Sequence, residues 1–267
     1  QGAPNRDWPD ISRNSCKMRL PTEAQLSREQ REIVFAESKG TLLVTGPPGC
    51  GKTVVAKMRL DRTKGMPQET TLLMYNQVLR AYTGDSTTFY TWLWHWWRGV
   101  TGGQYKMLPP EPPSTWRPPD WEWMAGQVRR APGRNSFMRG GDWGHLILDE
   151  AQDFPQACHE MLGLVQQAVT EGGGSPSLMI LADENQSIAP GKSSSISDIR
   201  DAHSIQSNDI YGLRKNYRNT KQIALVARTF FPGTKTGIPD IPEKEGEKPT
   251  IVKTADQSDA VSRIAMY

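Results

Sequence analysis

An α/β fold, a parallel sheet flanked by helices with a short irregular insert, is what this sequence predicts, and three observations predict it. Short apolar, β-branched runs alternate with amphipathic helical patterns, the arrangement of a parallel sheet covered on both faces. Residues 46–53 read Gly-Pro-Pro-Gly-Cys-Gly-Lys-Thr, a complete phosphate-binding loop of the form G-x-x-x-x-G-K-[ST] between one such strand and one such helix. A second apolar run, His145-Leu146-Ile147-Leu148, ends in Asp149-Glu150, carboxylates at the strand end where parallel sheets bind ligands.

The elements follow in order. Residues 1–25 carry few periodic apolar positions and read as a lead-in or linker. A helical pattern occupies 29–38, and TLLVT at 41–45 suits a buried strand. The loop then opens a helix over 54–60, so bound phosphates meet a helix N-terminus. A strand is expected at 71–75. Next come Phe89, Tyr90, Trp92, Trp94, Trp96 and Trp97. On a helix with most faces apolar such residues belong to the core, with Tyr90 the one candidate to stack on a nucleic-acid base. The stretch 99–144 breaks the alternation with Pro, Gly and Trp, leaving one short helix at 120–130. It reads either as a surface for another domain or as a solvated loop. Beyond it come strands at 145–148, 177–181 and 210–213 and helices at 156–170 and 220–230. Residues 249–253 and 256–267 read as one more strand and helix.

The loop's chemistry is specific. Gly46 and Gly51 stand where a Cβ would obstruct backbone N–H groups wrapping a phosphate chain. Lys52 reaches the β- and γ-phosphates and Thr53 holds Mg²⁺. Pro47, Pro48, Gly49, Cys50 and Val54 complete the nucleotide-contacting set. Asp149, on a strand expected next to that of the loop, can anchor Mg²⁺ through water, and Glu150 can polarise the attacking water as general base. An acidic helix cap after a core strand would account for Asp153, but not for two carboxylates directly following Leu-Ile-Leu.

With these motifs in view the chain resembles superfamily 1 helicases, specifically their UvrD/Rep branch. Leu26-Ser27-Arg28-Glu29-Gln30 is similar to the Q motif, 46–53 to motif I, 72–79 to motif Ia, and Thr88-Phe89-Tyr90-Thr91 to the T-[FI]-H-[ST] segment, with Tyr90 in place of histidine. Asp149-Glu150-Ala151-Gln152-Asp153 resembles motif II, 181–188 motif III, and Asn216-Tyr217-Arg218-Asn219 motif IV. The resemblance implies a RecA-like domain over 26–248 that binds ATP and Mg²⁺. Gln30 would read the adenine edge, Tyr217 stack on the base, Gln186 sense the γ-phosphate, and Arg218 act as an arginine finger. Single-stranded nucleic acid, DNA before RNA, would cross near Tyr75-Asn76 and 88–91.

The family continues into a second RecA-like domain with motifs V and VI, so 249–267 reads as that domain's beginning. The chain alone is then expected to bind nucleotide better than it hydrolyses it, and not to unwind duplexes. The family pattern also places an arginine where Val54 stands and an aromatic after motif III, and its insert is longer. Gly-Pro-Pro-Gly-Cys-Gly-Lys-Thr and Pro190 are also similar to the other, oppositely directed branch, which leaves polarity open. The same features admit an ATP-controlled regulatory or binding module of a nuclease or defence complex. A phosphotransferase reading gives no reason for DEAQD and NYR.

Composition sets the outer bounds. The chain has 267 residues, 36% hydrophobic and 23% charged, values of a globular protein long enough for one large domain. Three cysteines without metal spacing fit a reducing compartment, the cytoplasm or a eukaryotic nucleus. No run suits a membrane span. A net charge of only +3 makes any nucleic-acid footprint local.

Overall fold

The computed structural model describes residues 20–65, 69–75, 86–103, 119–186, 193–231, 233–234, 237–238 and 240–264. Most of the lead-in, Asn76 and the rest of motif Ia, the proline run of the insert, and Ser187 and Ile188 of motif III lie outside them. The sheet contains β1 (Thr41–Thr45), β2 (Thr70–Met74), β3 (Thr87–Thr88), β4 (His145–Leu148), β5 (Ser177–Ala182) and β6 (Ile210–Gly212). Their order is β3-β2-β4-β5-β1-β6, and every pairing is parallel. The strands therefore end on one common edge.

Side chains alternate across a strand, and here they divide into two cores. Leu42 and Val44, Leu72 and Met74, Ile147, and Met179 and Leu181 face one layer. That layer is α1 (Arg28–Phe35) and α2 (Lys52–Thr63), which contribute Ile33, Val34, Val55, Ala56 and Leu60. Buried Arg59 joins the two helices by donating to Ile33 O at 2.8 Å, satisfying a helix-end carbonyl. Leu43, Leu73, Leu146, Leu148, Leu178 and Ile180 face the other layer. It is built from α3 (Phe89–Val100), α4 (Trp121–Arg129), α5 (Ala131–Gly140), α6 (Gln156–Glu171) and α7 (Ile196–Ala202).

The aromatic segment is core, as its helical spacing implies. Phe89, Leu93 and Trp97, four residues apart, are buried. Trp92 and Trp96 stack on each other with centroids 5.1 Å apart. Tyr90 is half-buried against Tyr75, Phe154 and Trp121, and burial pushes its hydroxyl pKa up.

The insert departs from the sequence reading. The described part of 99–144 holds the helix expected at 120–130, seen as α4, and a second that the sequence reading did not give, α5. In α4, Asp120 Oδ1 caps Trp123 N at 2.9 Å and Trp121, Met124, Ala125 and Val128 are buried. In α5, Pro132 sits in the first turn, where its missing N–H costs nothing, and Phe137 is fully buried against Trp97. Both helices pack on α6.

Two further helices complete the described chain, α8 (Lys221–Arg228) and α9 (Gln257–Ile264). Residues 249–253 form no strand, and Ile251 stays 80% exposed. The segment pairs with none of the described strands. Among the described residues no helix is long and apolar enough to cross a membrane.

Candidate nucleotide site

The phosphate-binding loop links β1 to α2 at the common strand-end edge. Gly49 and Gly51 have φ of +83° and +92°, conformations L side chains rarely adopt. A Cβ on Gly46 would stand 2.8 Å from Leu213 O. One on Gly49 would stand 2.7 Å from Asn216 Oδ1 and 2.9 Å from Arg218 Cβ. The turn at 216–219 is thus seated directly on the loop. Tyr217 N donates to Gly49 O at 2.9 Å, and Asn216 Oδ1 accepts from the backbone N–H groups of Arg218 and Asn219.

Gln30 supports the loop from the other side. Its Oε1 accepts from Ser27 N as part of a capping box at the start of α1, and its Nε2 donates to Cys50 O at 3.3 Å. Each amide end keeps capacity for one further hydrogen bond.

Three strand ends, those of β1, β5 and β4, converge on Lys52 and Thr53. Its ammonium is almost fully buried and donates to Gly46 O at 2.7 Å. Asp183, at the end of β5, lies 3.5 Å away through Oδ2. Asp149, at the end of β4, accepts from the Thr53 hydroxyl at 2.7 Å. The strand order corrects one expectation: β4 is not next to β1, because β5 lies between them. Asp183, given no role by the sequence reading, is therefore the carboxylate on the adjacent strand. Its apolar run 177–182 followed by Asp was the available signal.

Glu150 follows with φ 53° and ψ 44°, left-handed backbone on a non-glycine residue. Such geometry costs about 1–3 kcal/mol and tends to be kept where a side chain must be aimed. Underneath, His159 donates Nε2–H to Ala151 O at 3.0 Å, which leaves Nδ1 to accept from His203 at 3.3 Å. Burial holds His159 neutral, its pKa lowered to about 4.

Close, partly to fully buried carboxylates resist ionisation. Burial, then the charge of Glu150, push Asp149 and Asp153 up to about 6. An acid raised in the folded state contributes its stability below its unfolded pKa of 3.8 and loses it as pH rises through 6. Asp149→Asn removes that cost above pH 6. It also loses about 1 kcal/mol where Asn has one acceptor for two donors. Its melting temperature without Mg²⁺ should therefore lie above that of wild type at pH 8, and the difference should shrink as pH falls from 6 toward 4. A gap independent of pH would contradict the assigned strain.

The fold is that of a RecA-like P-loop NTPase.

Comparison with known proteins adds a partial likeness. No protein-family model matches the chain, and no curated protein matches it. Among solved structures it is similar to the Pif1 helicase of Candida albicans, at 17% identity over 74% of this chain and 41% of that one, TM-score 0.45. It is also similar to Bacteroides Pif1 bound to single-stranded DNA, at 14% identity over 76% and 44%, TM-score 0.40. A structure of two Pif1 helicases coordinating at forked duplex DNA gives 14% over 76% and 47%, TM-score 0.40. The chain spans less than half the length of each. Pif1 is a superfamily 1 branch other than UvrD/Rep.

The remaining predicted residues surround the cluster without closing on it. Gln186 is half-exposed in a short turn, its N–H bonded to Asp183 O. Tyr217 is 45% exposed, with Lys215 Nζ 5.5 Å from its ring centre, and Arg218 is exposed. Val54 is half-buried in the first turn of α2. A separate groove of about 910 Å³ at the other sheet edge, lined by Thr41, Glu160, Asp198 and His203, contains none of these residues.

Proposed function

We propose that the chain is the ATP-binding motor domain of a UvrD-like, nucleic-acid-dependent ATPase. The carrying observation is the buried Lys52–Asp183 and Thr53–Asp149 cluster beneath a glycine loop that admits no Cβ. Asp183 Oδ2 is fully buried and makes no hydrogen bond of ordinary length, facing the Lys52 ammonium at 3.5 Å, an atom with capacity left for a water or a metal-bound water. The residues fit Mg²⁺ and a triphosphate on those grounds. Bound Mg²⁺ would supply positive charge shared between phosphoryl oxygens. Thr53 and Asp149 would hold it in place of their mutual hydrogen bond.

Lys52 exchanges its Gly46 carbonyl partner for phosphate oxygens. Glu150 takes the proton from the attacking water, the role its fixed backbone suits. Arg218, placed on the loop by the 216–219 turn, and Gln186, one turn past Asp183, complete charge compensation when the site closes. Gln30 and Tyr217 flank the loop where a base would lie. Single-stranded DNA is assigned to the ends of β2 and β3, near Tyr75 and residues 88–91. A second RecA-like domain would close the site, and a nuclease or other fused domain would be a further partner. A reducing compartment, cytoplasm or nucleus, suits the free thiols of Cys50 and Cys158.

The branch rests on DEAQD at 149–153 and Asn-Tyr-Arg at 216–218. Titration of Mg-ATP tests the site: Lys52→Ala should bind about 10- to 100-fold more weakly, the worth of one or two charge-assisted contacts. Equal affinity would place the nucleotide elsewhere.

A further inference from the structure

Gln152 is 1% exposed and plays no part in the cradle described above. Its side-chain amide nevertheless spans two strand ends. Oε1 accepts from the backbone N–H of Asp183 at 3.0 Å, and Nε2 donates to Glu150 Oε2 at 2.8 Å. The orientation is dictated by chemistry: a backbone N–H can only donate and an ionised carboxylate can only accept, so the amide fits one way round. The Gln152 carbonyl also accepts from Ser194 N at 2.9 Å, while the Ser194 hydroxyl donates to Phe154 O at 2.7 Å. The residue is thus held from both its backbone and its side chain.

The position explains a difficulty in the site. Glu150 stands on left-handed backbone beside Asp149 and Asp153, and the direction of its carboxylate is set by the Gln152 amide bonded to Oε2. A neutral donor locked to the neighbouring strand does so without adding a positive charge that would weaken the base. A lysine or arginine there would lower the basicity of Glu150, and an aliphatic side chain would leave two polar groups unpaired.

We propose that Gln152 is a positioning residue: it holds one Glu150 oxygen so that the other meets the attacking water, and locks this base to the strand carrying Asp183. The base and the Lys52 counter-ion then keep one register, and a movement of the 183–186 turn is passed to Glu150 through a single amide. This role rests on the hydrolytic function proposed above.

The test compares wild type, Glu150→Gln, Gln152→Met and Gln152→Glu in the full-length protein. ATP turnover is measured with single-stranded DNA from pH 5.5 to 9, and folding is checked by melting. Methionine keeps length and volume but makes neither hydrogen bond. It is expected to lower kcat about 10- to 100-fold while KM for ATP stays within about threefold. Gln152→Glu keeps the acceptor for Asp183 N–H but sets a like charge against Glu150. It should lower kcat and move the acid limb of the pH–rate profile up by about one unit, a displacement that a purely structural residue would not produce. Should methionine unfold the chain, the pH profile of Gln152→Glu decides alone.

Turnover that depends on Glu150 but is unchanged in kcat and pH profile by both Gln152 variants overturns the positioning role and spares the hydrolytic function. Wild-type turnover indifferent to Glu150→Gln overturns both.

Discussion

Glu150→Gln is expected to lower ATP turnover about 10²- to 10⁴-fold, the usual worth of a general base, with Mg-ATP affinity within about threefold. The amide keeps the size and shape of the carboxylate and can still meet Gln152 through its oxygen, so the left-handed turn at residue 150 should persist. What disappears is the ability to take a proton. The proposed nucleotide contacts lie elsewhere, on Lys52, Thr53 and the glycine loop, so affinity should hold. The substitution also removes one charge from a crowded acidic turn, where the neighbouring negative charge helps raise Asp149 and Asp153 to about 6. A modest gain in stability should therefore accompany the loss of activity. Steady-state turnover beside an equilibrium titration checks both halves, and a matching fall in affinity and turnover would mean that Glu150 binds instead of catalysing.

Phe137→Ala is expected to cost about 3–5 kcal/mol, the range for truncating a buried aromatic. That is a large part of the 5–15 kcal/mol that typically holds a domain together. Phe137 is fully buried, its ring 4.8 Å from that of Trp97 and 5.5 Å from that of Trp96. It joins α5 to α3 under the same layer that carries α6. If the insert were a solvated loop laid over a finished domain, the substitution would leave the denaturation midpoint nearly unmoved. Urea unfolding with an unchanged slope and a lowered midpoint is the expected record.

These cases show what was written locally and what was not. Strands 41–45 and 145–148 were read with their observed bounds, and those at 71–75, 177–181 and 210–213 to within a residue at either end. A buried parallel strand announces itself as an uninterrupted apolar run. Helix α4 was legible because Asp120 is a side-chain cap followed by apolar residues at helical spacing. Helix α5 was not, since Ala131-Pro132-Gly133 reads as a turn and Phe137 is its only fully buried large side chain. Helix α7 has just Ile196 and Ile199 on its buried face, yet the Ser195–Asp198 capping box was a usable signal that went unread.

Strand order escaped for a different reason. Nothing local to 145–150 says that β5 lies between β4 and β1, so the role of Asp183 emerged only once the sheet was assembled. Gln152 is similar: a glutamine in a motif has no evident task until two backbones from distant segments are brought to its two ends. The residue types of the proposed site are legible in the sequence, while the parts that hold them in place depend on tertiary structure.

The most direct test of the motor assignment is ATP turnover by the full-length protein with and without single-stranded DNA, with Glu150→Gln as control. Turnover raised at least about tenfold by DNA, and abolished in the variant, is the result the motor proposal predicts, since a strand bound at the same sheet edge would then lower the barrier at Glu150. Mg-ATP binding with turnover indifferent to DNA would contradict it.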